Sequence, residues 1–158
     1  MLYHFLVPFA DQFSVLNVFR YLTFRTGGAV LTALVVSFMF GLVLIEVLKA
    51  RQKGGQPIRV DGPETHLLTK QGTPTMGGVL ILFALSVATI LWADLSNGFL
   101  WASLGITLAF GAIGFFDDYI KVSKRDSFGL PGKFKFLLQV IIAAAVVFWI
   151  VRQFSPEL

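Results

Sequence analysis

Two adjacent carboxylates, Asp117 and Asp118, are the residues of this chain best placed for chemistry. They stand in the string GFFDDYIKV (Gly114 to Val122), directly after a long apolar run. At a helix C-terminus the dipole disfavours each carboxylate by about 0.3–1 kcal/mol, and two neighbours repel each other as well. A positive partner is therefore expected. Lys121 lies four residues after Asp117 and three after Asp118, within reach of either on a continued helix. A divalent cation is the other candidate, since carboxylate oxygens suit Mg²⁺. Adjacent helical residues point about 100° apart, so the two aspartates are expected to do different work. One could meet a substrate or metal while the other faces Lys121 or another helix. The competing reading is a solvated helix end with an ion pair.

A second polar stretch, KARQKGGQPIRVDGPETHLLTKQGTPTMGG, precedes another apolar run. It is too long for a simple turn. Thr73 can cap a helix with Pro74 at its first position, where a missing N–H costs nothing. Such a start offers free N–H groups and a positive dipole end to a phosphate, and Lys70 adds a full charge nearby. An ordinary capped membrane helix reads the same way. His66 is either a base or a surface residue, and Glu46 is given no chemistry.

The elements that must position these loops are apolar. Of 158 residues, 56% are hydrophobic and 14% charged, with 17 Phe; the mean hydropathy is +0.77. A soluble domain carries about 25% charged residues, so the solvent expected here is lipid. Four runs suit membrane crossing, at about 20 residues each: 26–48, 76–92, 99–116 and 134–151. Trp92, Trp101 and Trp149 fall near their ends, as interfacial aromatics do. The spans lack the polar stripe of buried soluble helices. The net charge of +4 comes from basic residues placed between the runs. That pattern reports topology and argues against a nucleic-acid partner. With no Cys there is no disulfide framework.

The expected fold is all-α, a polytopic membrane protein of four transmembrane helices in a single membrane domain, 1–158. Lys and Arg concentrate in 49–75 and 117–133 and are missing from Ala93 to Gly98. The positive-inside rule puts both long loops in the cytoplasm and the N-terminus outside. Lys135, at the edge of the fourth run, can extend its stem and keep its ammonium at the interface. Leu2, Phe5, Leu6, Phe9, Phe13 and Leu16 recur at helical spacing, which fits either a short interfacial helix or a frayed end. Small residues, Gly105 with Ala109 and Ala112, and Gly27 near Ala33, are expected to let helices approach in a packed bundle.

DGPETHLLTKQGTPTMGG (Asp61 to Gly78), followed by GFFDDYIKV (Gly114 to Val122), resembles the phospho-N-acetylmuramoyl-pentapeptide-transferases, within the polyprenyl-phosphate N-acetylhexosamine-1-phosphate transferases. NVFRYLTFRTGGAVLTAL (Asn17 to Leu34) shares the resemblance. It implies transfer of phospho-MurNAc-pentapeptide from UDP-MurNAc-pentapeptide to undecaprenyl phosphate, giving lipid I and UMP. The setting implied is the cytoplasmic face of the bacterial plasma membrane, with Mg²⁺ as cofactor and a possible homodimer. By the same resemblance Asp117 and Asp118 are active-site carboxylates, one of them a base or nucleophile. Lys70, Thr75, Lys121 and Lys133 would contact phosphate or nucleotide. Family members are longer, with later spans and a further metal-binding Asp. The expectation is therefore an N-terminal fragment, inactive alone, with either Asp117 or Asp118 as a possible metal ligand and the main ligand elsewhere. Two alternatives remain: a sibling transferase using UDP-GlcNAc, and a non-enzymatic membrane subunit. A transporter would place charges near the bilayer midplane, whereas these cluster at the rim.

Overall fold

The computed structural model describes residues 1–52, 75–124 and 129–154. All regular structure among them is helical. The chain begins with α1 (Leu2–Leu6) and two 3₁₀ segments, Val7–Phe9 and Ser14–Arg20. The apolar spacing from Leu2 to Leu16 thus does not make one helix. Pro8, early in the first 3₁₀ segment, has no N–H to continue the α-helical ladder.

Four longer helices follow: α2 (Leu22–Arg51), α3 (Gly78–Trp92), α4 (Gly98–Lys124) and α5 (Gly132–Phe154). Three of these, α2, α4 and α5, are long and apolar enough to cross a membrane. α3 is apolar but has 15 residues. At 1.5 Å per residue it rises about 22 Å, short of a hydrocarbon core of about 30 Å. Its first residue is Gly78, so the start expected at Thr73 and Pro74 is not the start of this helix; those two residues lie outside the described ones. α4 runs without a break through Asp117 and Asp118, so the first part of the expected second loop is helical.

The helices alternate in direction. In the first half of α2, Thr32 Oγ1 accepts from Nε1 of Trp92, the last residue of α3, at 2.8 Å. At the opposite end, Gln52 follows α2 and meets Thr75, ahead of α3. Asp117, late in α4, meets Lys135, early in α5. Among the described residues the packing is a row: α2 on α3, α3 on α4, α4 on α5, with α1 against α3. Each of these helices packs on the next. The close approaches fall on glycines other than those expected. A Cβ on Gly111 would run into Leu82, and one on Gly28 would meet the Trp92 ring at 2.5 Å. Gly27 and Gly105 face open space.

The core is correspondingly thin. Ala84 and Ala88 on α3, with Ala102, Leu104 and Ile113 on α4, are its buried apolar residues within the row. Large side chains point outward instead, Phe38 at 79% exposure and Phe136 at 68%. Burying such groups against each other is what drives a water-soluble fold. Lipid tails are as apolar as these side chains, so in a bilayer they carry no such penalty. The chain is a membrane protein.

Candidate active site

The cluster at the α4 terminus draws on every long helix. α4 continues past its apolar run, and this brings Lys121 back over the aspartates. Its Nζ lies 2.7 Å from Asp117 Oδ2 and 3.7 Å from Asp118 Oδ1. From α5, Lys135 Nζ reaches Asp117 Oδ1 at 2.8 Å. The Leu130 backbone N–H, in the turn before α5, donates to the same oxygen at 2.7 Å. Asp117 is 6% exposed. A carboxylate so buried needs charged partners and hydrogen bonds together, and Asp117 has both.

Gly129 makes this arrangement possible. Its φ of +61° is left-handed, and a Cβ there would strike Asp117 and Lys121. Only glycine meets both demands at no steric cost. The turn can therefore lie directly on the carboxylate and present the Leu130 N–H.

Asp118 has a different environment. Thr75 Oγ1 donates to its Oδ2 at 2.9 Å. Among the described residues its Oδ1 meets only Lys121, at 3.7 Å, outside hydrogen-bond range. Both aspartates line a groove of about 420 Å³ between α3 and α4, with Met76, Leu82, Gly111 and Phe115 among its walls. Thr75 itself is held by Gln52. The Gln52 Nε2 donates to Thr75 O at 3.1 Å and the Thr75 N–H donates to Gln52 Oε1 at 2.9 Å.

The structure thus joins Asp117, Asp118, Lys121 and Thr75 in one cluster. Lys133 is exposed in the first turn of α5 and is not part of it. Lys70 and His66 lie outside the described residues. Lys135, Gln52 and Gly129 belong to the cluster without having been assigned to it from sequence. Lys135 had a signal, a second lysine two residues after Lys133 at a helix edge, but it read as an interfacial anchor. Gln52 carried none.

Two carboxylates face two ammonium groups here, so the cluster is close to neutral. It also tests the fit of a metal. Among the described residues no three His, Cys, Asp or Glu side chains converge. Both oxygens of Asp117 are already occupied by donors, which leaves Asp118 Oδ1. One carboxylate is not a magnesium shell without phosphates, waters or further ligands. The described residues by themselves do not make a Mg²⁺ site.

Comparison with known proteins covers the same ground. Residues 70–82 match the phospho-N-acetylmuramoyl-pentapeptide-transferase signature 1. That segment includes Thr75, Met76 and the start of α3, the wall of the groove facing Asp118. The chain is 57% identical over 150 residues to a phospho-N-acetylmuramoyl-pentapeptide-transferase of Granulibacter bethesdensis, covering 95% of this chain and 41% of the relative. It is 50% identical over 149 residues to the Maricaulis maris protein of the same name, covering 94% of this chain and 41% of the relative. The chain therefore spans about two-fifths of the length of these curated relatives. The chain thus carries signature 1 of the phospho-N-acetylmuramoyl-pentapeptide-transferases and is similar to them along nearly its whole length.

Proposed function

We propose that this chain supplies the first part of an enzyme that moves phospho-MurNAc-pentapeptide from UDP-MurNAc-pentapeptide to undecaprenyl phosphate, giving lipid I and UMP for peptidoglycan synthesis. The observation that carries the reading is the Asp117–Asp118–Lys121–Lys135 cluster beside the signature segment. In the reaction a lipid phosphate oxygen bonds to the phosphorus next to the sugar, and the bond from that phosphorus to UMP breaks. Such a transfer needs charge neutralisation and in-line placement more than covalent help.

The two aspartates divide this work. Asp117 anchors Lys121 and Lys135 and fixes where positive charge stands. Asp118 keeps an oxygen free of close donors on the groove, and serves as the acceptor of the lipid phosphate proton or as the nucleophile. Because the cluster is nearly neutral, two anionic substrates require more positive charge. Lys70, Lys133 and Mg²⁺ are the sources this reading assigns, with Asp118 as the one described residue able to touch the ion. Thr75 serves the phosphate site by orienting Asp118.

The topology follows the same reading. α2, α3, α4 and α5 are four spans of the bacterial plasma membrane in a single domain, with loops at the cluster's end facing the cytoplasm and the N-terminus outside. Short α3 then leaves the non-helical Thr75–Gly77 segment sunk below the interface. Irregular backbone is tolerated at such depth where it is buried in protein or lines a cavity, and Met76 of this segment lines the groove. The working enzyme is read as a homodimer.

The test is UMP release by the full-length protein carrying this sequence, in membranes containing undecaprenyl phosphate and Mg²⁺. Release with UDP-MurNAc-pentapeptide and little with UDP-GlcNAc is expected. The reverse preference would assign the chain to the sibling transferases, and no release with either would support a non-enzymatic subunit. The 158-residue chain alone is expected to release none.

A further inference from the structure

We infer that Gln52 is a positioning residue for Asp118, acting through Thr75. The inference deepens the transfer reaction proposed above and depends on it for its kinetic readout.

Gln52 closes α2: its own N–H still bonds to Leu48 O at 2.8 Å, while its backbone has left the helix at φ −98°, ψ 62°. Its side chain is polar, yet the residue is only 5% exposed. A buried primary amide is costly unless its groups are paired. Here both ends of the amide go to one residue, with Nε2 donating to Thr75 O and Oε1 accepting from Thr75 N–H. The glutamine thereby does what a neighbouring strand would do, satisfying both backbone groups of a residue that no helix holds.

The clasped segment needs holding. Met76, the next residue, has φ +73°, a left-handed conformation disfavoured for any side chain with a Cβ. Among the described residues it is the one non-glycine position of this kind. With Thr75 fixed, its hydroxyl is aimed at Asp118 Oδ2 at 2.9 Å. Among the described residues Asp118 lacks the three close donors that immobilise Asp117, so within them its orientation rests on Thr75, and that of Thr75 rests on Gln52. The relay runs from the end of α2, through the segment before α3, to α4. A glutamine that only terminated α2 would need neither bond to Thr75.

The kinetic test uses the full-length protein with Gln52→Ala, Thr75→Val and the double variant. Each single change is expected to lower kcat for UMP release by about 100-fold, the scale of a misplaced reacting group. KM for the nucleotide sugar should stay within about twofold. The double variant should be no slower than the slower single, because both remove the same constraint. Losses that multiply, or a loss confined to KM, would overturn the inference. Thr75→Ser keeps the hydroxyl and should lose less than Thr75→Val. If Gln52→Ala does not fold, Gln52→Glu replaces it under the same criteria: it keeps an acceptor for the Thr75 N–H and lacks the donor to Thr75 O. A readout independent of activity is hydrogen exchange of side-chain amides in ¹⁵N-glutamine-labelled protein. Gln52 should exchange far more slowly than exposed Gln12; equal rates would overturn the inference even in an active enzyme. A wild type that released no UMP would sink the proposed transfer, while the exchange measurement still decides the Gln52 geometry.

Discussion

The two ends of the helix row are built on different interactions. At one end, Asp117, Lys121, Lys135, Asp118, Thr75 and Gln52 are tied by charge and by hydrogen bonds. At the other, Trp92 lies over Gly28, stacks on Phe19 with ring centroids 5.9 Å apart, and meets Phe24 edge-on at 6.0 Å. Apart from the part-buried bond from Trp92 to Thr32, polar contacts there are short-range or exposed. Asp94 Oδ1 accepts from the Ser96 backbone and hydroxyl, and His4 Nε2 sits 3.0 Å from it. Asn97 Oδ1 accepts from the Phe99 N–H near the start of α4. The aromatic end is a fastening. The charged end buries ionisable groups, which stability alone does not favour, since buried ion pairs about break even against apolar packing. Polar groups concentrated at one end, at a cost in desolvation, mark the end where function is to be sought.

The largest break in this contrast should come from Asp118→Asn in the full-length protein. UMP release should fall by about 10²–10⁴-fold, the worth of a positioned proton acceptor, with little change in thermal midpoint. A near-normal turnover would remove Asp118 from the chemistry. Gly129→Ala comes next. It forces a side chain into a left-handed position, at about 1–2 kcal/mol, and pushes on Asp117 and Lys121 as well. Activity should drop at least about tenfold, whereas Gly27→Ala, facing open space, should leave both activity and midpoint unchanged. Equal behaviour of the two glycine variants would refute the role given to the turn.

Smaller effects are expected at the aromatic end. Trp92→Phe keeps a ring against Phe19 but loses the bond to Thr32. The cost should be about 0.5–1.5 kcal/mol in unfolding experiments, with kcat unaltered. A change in kcat would show that the ends are coupled. Smallest is a pH effect at Asp94. The Ser96 hydroxyl and backbone N–H hold its carboxyl below the ordinary value of 3.8. A depressed carboxyl stabilises the fold above its unfolded pKa and loses that contribution as the pH falls through the folded one. The midpoint should therefore decline slightly below pH 3.8, and Asp94→Asn should flatten that decline.

Much of this could be read locally. α2, α4 and α5 appear as apolar runs because a bilayer demands a long uncharged stretch from each helix separately. Lys121 was assignable to the aspartates because a helix places i, i+3 and i+4 on one face. Span ends were less legible: α4 outruns its apolar segment by continuing to Lys124, and α3 starts later than its flanking turn residues implied. Gly27 and Gly105 were chosen by spacing, yet the helices approach at Gly28 and Gly111. Spacing says which residues share a face and not which face a neighbour takes.

The sequence by itself determined that this chain lives in lipid, that its charges lie at helix ends, and that Lys121 stands within helical reach of either aspartate. Tertiary structure alone decided that the aspartates are unequal. Lys135 and the Leu130 N–H close on Asp117, and Gln52 reaches Asp118 through Thr75, across intervals of chain that no periodicity spans. The reason is physical: helical geometry fixes neighbours within a turn or two, while contacts between helices depend on which glycines and alanines let their axes approach.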